Sequence, residues 1–192
     1  MSEAASEVPL GRWLFQVRGV LPVPLLVGLV ALARPGAVGL GLCALGVAAG
    51  LGLRLWAVAH IGPGSRRRDA AVGDLASTGP YRHVRNPLYL GNLCLYAGLA
   101  SASARPEVVA GVILLVYLWY NTIIAWEETR LRAALGASWS AWAEGVSRWW
   151  PRLRPLGPDA PGRWAAAWRS ERSTHLAVLV VLAALGLRVA LR

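Results

Sequence analysis

The chain is 192 residues long, 56% hydrophobic and only 16% charged, where an ordinary soluble domain carries about 25% charged residues. That balance, with the apolar residues gathered in long runs, excludes a disordered tail, a collagen and a coiled coil, and predicts an all-α polytopic membrane helix bundle. All 20 basic residues are Arg, against 10 acidic ones, for a net charge of +10; Arg collected beside anionic lipid explains this excess better than nucleic-acid binding does.

Residues 1–12 are polar and carry Glu3 and Glu7, an acidic start that argues against a signal peptide. A first membrane span is expected over 17–33, with Pro22 and Pro24 near its start and the turn Arg34-Pro35-Gly36 after it. The second span covers 37–59. Its glycines predict close helix packing. Gly39 and Gly41 follow no strand, so they do not read as a dinucleotide fingerprint. Cys43 and Cys94 stand alone in apolar runs and read as packing residues, with no disulfide framework and no metal site.

A polar loop over 61–86 holds Arg66, Arg67, Arg68, Arg82 and Arg85. The third span is expected at 88–104, a turn at Arg105-Pro106, and the fourth span at 108–126. From 127 to 148, Leu131, Leu135, Trp139 and Trp142 recur every three or four residues with Arg130 and Arg132 between them. That pattern predicts an interfacial helix. Six of the ten Trp lie between Trp139 and Trp168, and Trp favours the headgroup level. A last apolar run, 175–187, predicts a short or partly inserted fifth helix.

Arginine counting orients the bundle. The 61–86 loop holds five Arg and the 127–173 stretch eight, against Arg34 and Arg105 in the opposite turns. The positive-inside rule puts both long stretches in the cytoplasm. Helical spans also favour an inner (plasma) membrane, because outer-membrane proteins are barrels.

Two features carry chemistry. In Arg85-Asn86-Pro87-Leu88-Tyr89-Leu90-Gly91, Asn86 is a good N-cap and Pro87 suits a first helical turn. The same residues simply start a helix, or offer its free N–H groups and Arg85 to an anion. Glu127-Glu128 either face water, paired with Arg130 and Arg132 one turn on, or one of them accepts a cationic group. If the third and fourth helices form a hairpin, the two features meet. A positive helix start beside a carboxylate suits a zwitterion such as the amino-acid moiety of S-adenosylmethionine. His83 reads as a solvated loop residue, and Asn121 is a polar neighbour with no assigned role.

Taken in order, Gly79-Pro80-Tyr81-Arg82, Arg85-Asn86-Pro87-Leu88-Tyr89-Leu90-Gly91 and Glu127-Glu128 resemble the isoprenylcysteine carboxyl methyltransferase and phospholipid methyltransferase superfamily. Arg54-Leu55-Trp56-Ala57 and the tail from Leu135-Gly136 through Trp139, Trp142, Val146 and Arg148 to Pro151 are similar too, so the likeness covers about 50–152. It implies an integral membrane enzyme that uses S-adenosylmethionine without a Rossmann domain and has a lateral opening for a lipophilic acceptor. Carried over by motif, Asp74, Leu75, Tyr81, Arg85, Asn86, Pro87, Leu88, Tyr89, Glu127 and Glu128 should line the cofactor site.

Two departures narrow the chemistry. The family's usual Arg-His-Pro is Arg-Asn-Pro here, and Asn86 cannot shuttle a proton. Ile123 stands where carboxyl-methylating relatives place an Arg, which argues against a prenylcysteine carboxylate and makes a phospholipid amine or a small lipophilic acceptor as plausible as a carboxylate. The implied organisation is N-terminal membrane helices over 1–60, a methyltransferase-like core over 61–152, and an interfacial segment with a short apolar helix over 153–192. A nicotinamide-dependent membrane reductase of related topology and a non-catalytic membrane scaffold are the alternatives.

Overall fold

The computed structural model describes residues 9–34, 36–61 and 75–191. Those residues form seven helices and no strand: α1 (Pro9–Val17), α2 (Pro22–Leu32), α3 (Ala37–Ile61), α4 (Pro87–Ser101), α5 (Pro106–Leu135), α6 (Ala137–Gly145) and α7 (Trp164–Ala190), with a 3-10 turn, Gly79–Arg82, before α4. Pro22, Pro87 and Pro106 each stand first in a helix. There the missing N–H has no intrahelical partner to lose.

Three stretches are long and apolar enough to cross a membrane: α3, α5 and residues 172–190 of α7. The expected first span is instead two helices. Pro22 and Pro24 cannot continue the ladder of α1, so α1 and α2 meet at a 64° bend and count as a fourth span if taken together. At 15 residues, α4 is about 22 Å long, short of an about 30 Å hydrocarbon core. Against the about five spans expected, three or four among the described residues are long and apolar enough, and α4 is a short helix held against α3.

Two boundaries also move. Residues 127–135 continue α5 instead of opening a surface helix. Gly136, at φ 56°, ends α5 by donating its N–H to the Arg132 carbonyl, and only α6 remains as the separate short helix. The last helix is not short: the run 175–187 lies inside the 27 residues of α7, because the Ala-rich stretch before it also favours helix.

The closest packing joins α3 and α4. A Cβ on Gly98 would lie 2.8 Å from the Cα of Gly46, and one on Gly50 would lie 2.7 Å from the Gly91 carbonyl oxygen. Only glycine lets the two backbones approach this closely. One apolar core then runs through Phe15 of α1, Leu29 of α2, Val47 of α3, Leu99 of α4, Ile123 of α5 and Val181 of α7.

At one end of the bundle, the Arg34 N–H donates to the Ala102 carbonyl, and Arg188 Nε donates to the Ala33 carbonyl, both at 3.0 Å. At the other end the two Arg-rich stretches are stitched together. Arg85 N–H donates to Ser147 O at 2.9 Å, Arg152 N–H to His83 O at 2.9 Å, and Leu156 N–H to Arg82 O at 3.0 Å. Both stretches thus share one end, as expected; Arg66, Arg67 and Arg68 of the first lie outside the described residues.

The glycine contact gives a direct test. Gly46→Ala should lower thermal stability in detergent by about 1–3 kcal/mol, the usual cost of overpacking. Gly52→Ala, where a Cβ meets nothing within 4 Å, should leave the melting temperature unchanged or raise it.

Candidate functional site

The 3-10 turn is built to carry Tyr81 inward. Asp159 accepts the Gly79 N–H at 2.8 Å and the Ala160 N–H at 2.9 Å, and pairs with Arg82 Nη1 at 3.1 Å. The two N–H bonds, helped by Arg82, hold the Asp159 carboxyl below the usual carboxylate range. The turn so anchored buries Tyr81 and leaves its hydroxyl without a hydrogen-bond partner among the described residues. Burial first, and then the charge of Glu127, push that hydroxyl well above the ordinary tyrosine range. Tyr81 is therefore a neutral donor.

Asn86 occupies the N-cap position of α4 but does not cap it. Its Nδ2 donates to the Arg148 carbonyl at 3.3 Å instead, so the expected side-chain cap is replaced by a bond to the incoming 147–156 segment. Helix geometry leaves the N–H groups of Leu88 and Tyr89 without intrahelical partners. Pro87 is buried. Leu88 packs on Val58, Ala59 and Ala167. Leu75 is half-buried, and Asp74 lies outside the described residues.

The hairpin of α4 and α5 brings the helix start and the carboxylates together, and it separates the two carboxylates. Glu127 accepts a hydrogen bond from the Tyr89 hydroxyl at 3.1 Å, with Arg18 and Arg130 near enough to act on its charge. Glu128 turns the other way. It accepts from Arg148 Nη2 at 2.5 Å and Nε at 3.2 Å, and pairs with Arg85 Nη1 at 3.4 Å. Its expected partner one turn on, Arg132, lies instead over the Trp139 ring, 5.0 Å from the centroid. Arg148 Nη1 also donates to Asn121 Oδ1 at 3.2 Å. Burial lowers the Arg85 guanidinium from its ordinary value, Glu128 opposes that shift, and Arg85 Nε has no hydrogen-bond partner among the described residues.

Other expectations shift. His83 is not a solvated loop residue: it is half-buried, its Nδ1 lies 2.8 Å from the Arg152 carbonyl, and its ring faces Trp56. Trp139 is buried, whereas Trp150, Trp164 and Trp168 are exposed, so the tryptophans do not form one interfacial set. A cleft of about 350 Å³, lined among others by Trp56, His83, Val84, Leu90 and Leu153, opens beside the turn; Tyr89, Glu127 and Glu128 do not line it. Arg54, Asn92 and Glu171 had no assigned role from the sequence, yet the buried Arg54 and Glu171 and the half-buried Asn92 form one polar cluster. An arginine inside an apolar run was the available signal.

The clasp on Glu128 should be measurable. Glu128→Gln should cost about 2 kcal/mol of stability, because a charged hydrogen-bond partner is lost in a half-buried setting. Adding Arg148→Gln should cost less than the sum of the two single changes. Thermal unfolding of the three variants in one detergent gives the comparison.

Comparison with curated proteins returned no match, and comparison with solved structures returned none. The sequence model of the phospholipid methyltransferase family matches residues 37–138, a stretch that contains α3, the 3-10 turn, α4, all of α5 and the start of α6. Over half the chain is thus matched, and the chain belongs to the phospholipid methyltransferase family.

Proposed function

We propose that the chain is an integral membrane methyltransferase that uses S-adenosylmethionine and acts on a lipophilic small molecule or lipid-like acceptor. One observation carries the reading: the Glu127–Tyr89 contact lies beside the uncapped start of α4. The family match supports methyl transfer, and the helices long enough to cross a membrane support a bilayer setting.

The donor set suits a zwitterionic amino-acid group. Helix-start N–H groups favour a carboxylate, and Glu127 favours an ammonium. The Tyr81 hydroxyl and Arg85 Nε are buried donors without acceptors among the described residues. Leaving such a donor unsatisfied costs about 1–3 kcal/mol, so a bound acceptor group is favoured there. On this reading Asp74, Leu75, Tyr81, Arg85, Asn86, Pro87, Leu88, Tyr89, Glu127 and Glu128 hold the cofactor, and 61–152 is the core flanked by 1–60 and 153–192.

S-adenosylmethionine, when bound, supplies a methyl group on a sulfonium, open to direct attack by a nucleophile. The chain's own part is to position and desolvate. Asn86 moves no proton. Ile123 is wholly buried in α5, four residues before Glu127, and offers no cation to a carboxylate acceptor. A neutral amine or thiol acceptor fits that apolar position better. The arginine excess of the stitched end supports a site at the cytoplasmic face of an inner (plasma) membrane.

The test is binding of S-adenosylmethionine and S-adenosylhomocysteine to detergent-purified protein, beside Glu127→Ala and Tyr89→Ala. Saturable binding, weakened about tenfold or more in both variants, is the expected result. Folded wild-type protein that binds neither compound, and binds a nicotinamide cofactor instead, would overturn the reading in favour of a reductase.

A further inference from the structure

The last helix, α7, lies outside the matched region and contributes a buried acid to the bundle. Glu171 is 1% exposed and faces Arg54 of α3, itself 7% exposed. Arg54 Nε donates to Glu171 Oε2 at 3.0 Å, and Nη2 donates to Oε1 at 3.1 Å and to Oε2 at 2.8 Å. Nη2 also reaches Thr174 Oγ1 at 3.3 Å. A fork of this kind fixes the plane of the guanidinium.

What the fork leaves over is directed at α4. Arg54 Nη1 donates to Asn92 Oδ1. That contact decides which way the Asn92 amide points, because the flipped amide would set N–H against N–H. With Oδ1 taken, Nδ2 is the group that faces α5, and it donates to the Tyr120 hydroxyl at 2.9 Å. The Tyr120 ring packs on Tyr89 at 4.7 Å between centroids, and Tyr89 is the residue that donates to Glu127.

We propose that Arg54 and Glu171 are positioning residues for the Tyr89–Glu127 site, acting through Asn92 and Tyr120. The proposal rests on the reading of that site as the cofactor pocket. A buried ion pair is not needed for stability, since well-packed apolar residues often serve as well or better. It supplies a fixed direction to a hydrogen-bonded chain, which apolar residues cannot. Glu171 and Thr174 lie beyond residues 37–138, so the matched region borrows this orientation from a helix outside it.

The experiment places 3-fluorotyrosine at position 89 and compares wild type, Glu171→Gln, Asn92→Leu, their combination, and the apolar pair Arg54→Met with Glu171→Met. Fluorine NMR reads the Tyr89 environment without any ligand, and S-adenosylmethionine titration reads the pocket. Glu171→Gln should shift the fluorine resonance and weaken binding about tenfold, a coupling of ordinary size for linked residues. In the Asn92→Leu background it should add nothing to either. The apolar pair should stay folded and show the same displaced resonance. An unchanged resonance in folded Glu171→Gln or in the apolar pair would overturn the proposal, as would a full additive loss in the Asn92→Leu background. Should Glu171→Gln not fold, the apolar pair decides. Absent binding in wild type would defeat the cofactor reading, while the fluorine resonances still judge the relay.

Discussion

Taking an unpaired charge into an apolar bundle costs several kcal/mol, so the ionisable groups inside this one have to meet partners from other helices. The partners they find set the architecture. Arg54 on α3 ties α7 to the centre. Glu128 on α5 ties the start of α4 through Arg85 and the segment after α6 through Arg148. The apolar face of a membrane helix says little about which neighbour it prefers, because lipid is as apolar as leucine. These few polar contacts therefore carry much of the specificity.

Close backbone packing makes the central contact possible. A Cβ on Gly91 would stand 2.9 Å from the Cγ of Arg54, so the stem of Arg54 crosses α4 where that helix has no side chain. One residue further, Asn92 receives the guanidinium. The glycines of α3 and α4 are thus more than a way to bring two helices together. They bring a buried arginine within reach of α4's polar side chain.

Local rules made part of this readable from sequence. Composition gave the fold class, and Pro87 marked the start of α4 because its effect is confined to a single turn. The pairing of helix start with carboxylates was readable as well, since a short turn at Arg105-Pro106 forces α4 and α5 into a hairpin. Long-range choices were not readable. Arg54 and Glu171 are 117 residues apart, and periodicity carries no information about such a pair. The Asn86 side chain follows the same logic: its local preference is to cap, but a carbonyl from residue 148 competes and wins. The end of α5 was misplaced because an amphipathic pattern and a helix continuation look alike until Gly136 breaks the ladder.

The consecutive carboxylates show how helix geometry divides labour. Neighbouring residues on an α-helix point about 100° apart, so Glu127 and Glu128 cannot easily serve one ligand group together. Glu128 faces the polar end and is held by two arginines. That engagement fixes the 147–156 segment across the start of α4, where Arg85 N–H and the Asn86 side chain add their own bonds to it. Glu127 faces Tyr89 and keeps a neutral donor as its close partner. A carboxylate bonded to a hydroxyl retains acceptor capacity that one clasped by guanidinium groups has largely used. On the proposed reading, that difference makes Glu127 the acceptor for a cationic group, with Arg18 and Arg130 close enough to act on its charge, while Glu128 serves the same site by keeping the surrounding wall in place.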